Sequence, residues 1–149
     1  MSNIETFHKM KDLRNREKQE HLKSYQRAVA TFEEKATMLY DTLKEKEVAE
    51  RAFEDQLAKQ TVQAVSFIQH QQYLERLDQR VKALQPEVNQ ARSQMNHKQA
   101  HLTNAHVEVK KFEKIIERKV EKREKWLKEE EMKFMDELSM QQYLNFQNR

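Results

Sequence analysis

The side chains with chemical potential are plentiful, but few are spaced to act together. His97 and His101 stand four apart, so on a helix both imidazoles share one face and offer two ligands to a metal. Glu108 lies on the same stripe but two turns beyond His101, too far to complete the site, and the chain has no Cys to supply a thiolate. Six His in so hydrophilic a chain are better explained as solvated surface, and no metal or other cofactor is expected. Residues 108–125 interleave Glu with Lys and Arg, as in Glu117-Arg118-Lys119 and Glu121-Lys122-Arg123-Glu124. A nucleic-acid interface needs an uncompensated positive field, and here the acidic residues largely cancel it. The run reads as a helix laced with exposed ion pairs, and Glu129-Glu130-Glu131 would repel phosphate, so nucleic acid is not an expected partner. Carboxylates are abundant, but general acid–base work needs burial to tune them, and a thin helical pair buries none deeply. No set of residues resembles an active site, and the chain is read as a non-enzyme.

Composition explains why. Among 149 residues there is no Gly and one Pro. At ordinary usage roughly ten Gly would be present. Phosphate-cradling loops, dinucleotide fingerprints, nucleophile elbows and most hairpin turns need Gly for its positive φ, so those designs are excluded. The missing Cys fits a reducing compartment. Charged residues make up 36% and apolar ones 37%, too polar a mixture for a thick core. Disorder is the competing outcome, but a formal net charge of only +3 means the signs are mixed and do not expand the chain. Glu, Lys, Gln, Arg, Ala and Leu are strong helix formers, so long helices paired along a narrow seam are the expected use. There is no apolar run long enough to span a bilayer, and the first thirty residues lack the pattern of a signal peptide, so no direct membrane insertion is expected.

Periodicity supports the seam. Alternate steps of three and four from Phe67 to Trp126 visit eighteen positions, fourteen of them apolar. Composition alone would give about seven. Lys98 is one of the four polar exceptions. A second ladder runs Tyr25, Val29, Phe32, Ala36, Leu39, Leu43, Lys46, Glu50, Phe53, Leu57, eight of its ten positions apolar. Upstream, Ile4, Phe7, Met10, Leu13 and Leu22 mark an amphipathic stretch on a shifted stripe. The ladders break phase between Leu57 and Phe67, where Thr61 offers an N-cap. The predicted fold is all-α: one domain over 1–149, an antiparallel two-helix coiled-coil hairpin with helix 1 about 4–58, a turn about 59–61 and helix 2 about 62–145. A continuous helix that dimerises satisfies the same pattern, but the coincidence of phase break and cap favours the hairpin. Position i then faces roughly 120 minus i, which sets Lys46 and Glu50 level with Leu74 and His70 as a polar layer. Pro86 removes a backbone donor within helix 2 and predicts a kink or local unwinding. Helix 2 outruns helix 1, and from about Glu117 the surplus carries Trp126, Leu127, Met132, Phe134, Met135, Leu138, Met140, Tyr143, Leu144 and Phe146. Such anchors suit an interface. The alternative destinations are the stretch around Phe7 and Met10, or a second copy.

Certain motifs resemble a known family. Phe67-Ile68-Gln69-His70-Gln71-Gln72-Tyr73-Leu74-Glu75-Arg76-Leu77-Asp78 holds a Gln-Gln-aromatic-aliphatic core followed by Leu, and Met135-Asp136-Glu137-Leu138-Ser139 lies near the C-terminus. With Met10-Lys11-Asp12-Leu13, Asn96-His97-Lys98-Gln99 and Val109-Lys110-Lys111-Phe112-Glu113-Lys114, in that order over nearly the whole chain, the sequence is similar to the Bacillus-type branch of the flagellar type III export family FliJ. The resemblance implies a fold similar to the central stalk of rotary ATPases. It also implies a cytoplasmic protein, peripheral at the cell membrane through the flagellar export apparatus, with a role in flagellum assembly and motility. Its implied partners are the hexameric export ATPase, the cytoplasmic domain of the export gate and export chaperones. Carried over by position, the ring-facing residues are Phe7, Met10, Leu13 and Glu17 with Met135, Asp136 and Leu138. The gate-facing patch is Gln71, Gln72, Tyr73, Leu77 and Arg80; of these Leu77 falls on the seam and Tyr73 just off it. The injectisome stalk homologue, a structural coiled-coil dimer and a holdase-like chaperone arm are the alternative functions.

Overall fold

The computed structural model describes residues 2–59 and 63–148. They form two helices, α1 (Ser2–Ala58) and α2 (Ala64–Gln147), and no strand occurs among the described residues. Neither helix contains Gly, and both are rich in unbranched helix formers, so little in the sequence opposes them locally. α1 tightens at its end, where the Lys59 amide donates to the Gln56 carbonyl at 3.2 Å. At the start of α2 the Phe67 amide donates to the Gln63 carbonyl at 3.1 Å. The expected Thr61 cap and most of the expected turn fall at 60–62, outside the described residues. α2 runs unbroken through Pro86. Pro86 is exposed while Leu84 and Val88 on either side are buried, so packing holds the helix together where one bond is lost.

The chain divides into two compact units, Met1–Gln19 with Asn104–Arg149, and Glu20–Thr103. In the second unit the core is Leu77, Val81, Leu84, Val88 and Ala91, with Thr42 at 3% exposure opposite them on α1. In the first it is Val109, Phe112 and Ile116, against which Phe7 packs with its ring centroid 6.3 Å from that of Phe112. All eight buried apolar residues lie on the ladder read from Phe67. The pairing in each unit is antiparallel: Lys35 meets Glu87 and Phe53 meets Phe67 in one, and Phe7 meets Phe112 in the other.

The seam of α1 differs from its expected ladder. Its more enclosed positions include Ile4, Phe7, Lys11, Arg14, Lys18, His21, Tyr25, Ala28, Val29, Phe32, Lys35, Ala36, Leu39, Thr42, Lys46, Ala49 and Phe53. Tyr25, Val29, Phe32, Ala36, Leu39, Lys46 and Phe53 are members of the expected ladder, whereas its last member, Leu57, is 46% exposed. Thr42 replaces Leu43, which is 44% exposed, and Ala49 replaces the exposed Glu50. Thr42 is tolerated because its Oγ1 donates to the Met38 carbonyl at 2.7 Å. Upstream the stripe keeps its phase, contrary to the expected shift: Lys11, Arg14 and Lys18 are half-buried on it while Met10 and Leu13 are exposed.

Candidate partner-binding surfaces

The residues expected to face a gate lie in the second unit on the first turns of α2. Gln71, Gln72 and Arg80 are exposed. Tyr73 is half-buried and its hydroxyl donates to Glu45 Oε1 at 2.6 Å, fixing the ring against α1. That bond to the carboxylate, with some desolvation, raises the phenol above its ordinary pKa. The Arg76 guanidinium lies 5.9 Å from the Tyr73 ring. Leu77 is different: at 5% exposure it is a core residue, so its role is packing and it presents no face to a partner. The groove beside Tyr73 is lined by Val48, Ala49, Ala52 and His70, and Val48 is well exposed.

The polar layer forms with a different partner from the one expected. Lys46 Nζ donates to Asp78 Oδ1 at 3.1 Å, one turn past Leu74, and lies 3.9 Å from Glu50. Lys82 also reaches Asp78, at 3.1 Å. The bonds from Lys46 and then Lys82 hold the Asp78 carboxyl below its usual range. His70 sits against Phe53, ring centroids 5.6 Å apart.

The residues expected to face a ring lie in the first unit. Phe7 is half-buried against Phe112, with Lys119 Nζ 5.1 Å from its ring centroid. Met10 and Leu13 are exposed, and Glu17 is held by Arg14 Nη1 at 3.0 Å. Arg14 Nε is buried without a hydrogen-bond partner. Glu113 is bonded by Lys110 and lies in the field of Lys11 and Lys18, which together keep its carboxyl below the usual range. Met135, Asp136 and Leu138 sit on the last part of α2, where every described residue from 121 to 148 is exposed.

That final stretch is unusual. It does not pack on Phe7 or Met10; Lys122, Arg123 and Trp126 at its start border Asn3 and Ile4. Projected at about 100° per residue, its apolar side chains share no single stripe. Leu127, Phe134 and Leu138 occupy one face, Met135 and Phe146 the next, Met132 and Tyr143 the side opposite the first, and Met140, Leu144 and Trp126 close the circle. Large apolar side chains thus appear on every side of this segment, interleaved with charged ones.

The His pair at 97 and 101 is joined by a third ring that spacing alone did not show. His101 meets His97 edge-on at 5.2 Å and stacks on His21 of α1 at 5.7 Å. Among the described residues no group of three His, Cys, Asp or Glu is placed to hold a metal. The ion pairs of the mixed-charge run include Lys110–Glu113 at 3.1 Å and Lys111–Glu108 at 3.9 Å, each within one helix. No helix is long and apolar enough to cross a membrane among the described residues.

Comparison with known proteins agrees with the motifs. The family described as "Flagellar FliJ protein" matches residues 2–148. A "Flagellar FliJ protein" of Bacillus subtilis (strain 168) is 36% identical over 138 residues, 93% of this chain and 93% of that one. No solved structure matches. A match over both helices, at such identity and nearly full mutual coverage, shows that the chain belongs to the FliJ family of flagellar, export-related proteins.

Proposed function

We propose that the protein is the stalk-like component of the flagellar export apparatus, binding the hexameric export ATPase through its first unit. Its second unit, around Gln71, Gln72 and Tyr73, engages the cytoplasmic domain of the export gate, and export chaperones bind the same protein. It works at the cytoplasmic face of the membrane, held there by these partners. The reading rests on one observation: the last turns of α2 carry large apolar side chains around their whole circumference and bury none of them. A ring of subunits is a partner able to enclose a helix from all sides. Inserting an asymmetric helical end into a ring of six breaks the equivalence of the subunits, which biases ring assembly and ATP hydrolysis. Helices without Gly are stiff enough to carry that asymmetry to the gate, and the chain supplies no chemistry of its own. Phe7, Met10, Leu13 and Glu17 then sit at the mouth of the ring and Met135, Asp136 and Leu138 within it.

Removal of residues 127–149 tests this. Since residues 121–148 contribute nothing to either core, the truncated protein keeps its thermal melting midpoint. It is expected to lose both capture of the export ATPase and stimulation of its hydrolysis. Full stimulation by the truncated protein would sink the assignment.

A further inference from the structure

We propose that a groove in the second unit, away from the Tyr73 patch, is a docking site for an acidic amphipathic helix of a partner protein. The groove lies between α1 and α2, has a volume of about 520 Å³, and is floored by the short side chains of Ala28, Thr31 and Ala91. Its rim carries Arg27, Lys35 and Lys98. Lys35 is answered by Glu87 at 3.5 Å. Arg27 and Lys98 have no side-chain hydrogen bond or ion pair among the described residues.

Lys98 is the telling residue. It occupies a seam position that the ladder reserves for an apolar side chain, and it is half-buried. Its ammonium has no counter-charge, so a carboxylate brought up by a partner finds an unanswered donor there. The rim therefore presents two unanswered positive charges above a floor of small side chains.

The shape selects a helix. From Ser24 to Lys35 the groove follows α1 for about three turns, or roughly 16 Å. A third helix approaching two others seats its ridges in such a furrow at an axial distance of about 8–10 Å. Bulky Leu, Met or Phe side chains of the incoming helix would fill the space over Ala28 and Ala91, with Glu or Asp on its flanks reaching Arg27 and Lys98. Nucleic acid fits poorly: duplex DNA presents one charge per about 1.7 Å, and two free cations beside Glu87 do not answer that density. The proposal is independent of the stalk reading, because it uses neither the tail nor Tyr73.

The test is fluorescence anisotropy on the full-length protein. The probes are a labelled helical peptide of about four turns, with Leu along its seam and Glu on its flanks, and its twin carrying Lys on the flanks. The Glu peptide is expected to bind at least about tenfold more tightly than the Lys twin, with an affinity that falls as salt rises. The double variant Arg27→Glu/Lys98→Glu should invert the preference, and Ala28→Phe should weaken both peptides by filling the floor. Arg27→Gln/Lys98→Gln, which keeps the aliphatic stems in place, should abolish the preference without lowering the melting midpoint. Equal binding of the two peptides, binding of neither, or a preference that survives the charge changes overturns the proposal. So does displacement of the Glu peptide by inorganic pyrophosphate at the concentration of unlabelled peptide that displaces it, which would mark a simple anion site.

Discussion

Residues 77–91 and residues 126–146 belong to one helix, are both well stocked with large apolar side chains, and use them in opposite ways. In the first stretch Leu77, Val81, Leu84, Val88 and Ala91 recur in steps of four and three, and all are 8% exposed or less. In the second, ten large apolar residues follow no common step, and their exposures run from 39% at Leu138 to 80% at Phe146. Core formation in a two-helix fold thus takes both spacing and reach: Trp126 keeps the ladder's phase and is still 58% exposed, because α1 begins at Ser2 and leaves the end of α2 uncovered. A second helix covers only one stripe, so anything off it stays wet until something other than α1 arrives.

The sharpest way to break this comparison is to remove a side chain from each stretch. Leu84→Ala is expected to lower unfolding stability by about 2–4 kcal/mol, read from urea denaturation. Phe134→Ala deletes a larger side chain, yet should stay within about 0.5 kcal/mol of the parent. Equal losses would mean that the tail is packed and that the contrast is false.

A smaller effect comes from the polar layer flanking the core stretch. Asp78 and Glu113 both titrate below their unfolded values, because lysines bond their ionised forms. A group with a depressed folded pKa contributes stability that is present above its unfolded pKa, about 4, and is lost as pH falls through the folded value. The urea midpoint should therefore drop on acidification from about pH 5 downward, and Asp78→Asn should make that drop shallower. Among the described residues no lysine–carboxylate bond of this kind reaches across to the tail, where Lys133 meets Glu130 on its own helix at 3.7 Å, so changes there should leave the acid profile alone. The smallest effect is at Tyr73. Its raised pKa contributes stability that is present below the unfolded value near 10 and is lost as pH rises through the folded one. Tyr73→Phe should leave the neutral-pH midpoint nearly unchanged and remove part of the alkaline loss.

The α2 seam was legible from residue type alone because it is written in Leu, Val, Ile and Phe. The α1 seam was not, and the reason is physical. Lys11, Arg14 and Lys18 count as polar in any binary pattern, yet each carries a three- or four-carbon stem that suits a half-buried position, and Arg14 goes further and buries its Nε. Leu43 is the apolar residue of the pair, yet Thr42 is the buried one, since a hydroxyl that bonds back to its own helix is buried at little cost. The Lys46 partner was missed by one turn because long side chains reach diagonally. Of the candidate surfaces, the tail could be read from its surplus length and the Gln-Gln-Tyr stretch from its motif. The His21 stack and the groove at Lys98 needed both helices in place, since no spacing within one helix encodes what stands opposite.

The wet end of α2 has a thermodynamic consequence. Without a neighbour, a helix of some twenty residues is held only by its own backbone bonds and a few side-chain pairs, and such helices are marginal in water. Amide hydrogens past Trp126 should therefore exchange within a small fraction of the time needed by those around Leu84, and gain protection only when a partner encloses them. Any partner that enclosed this segment would have to offset the cost of ordering it. A large apolar contact made by such a segment would be weakened by that cost and could dissociate quickly.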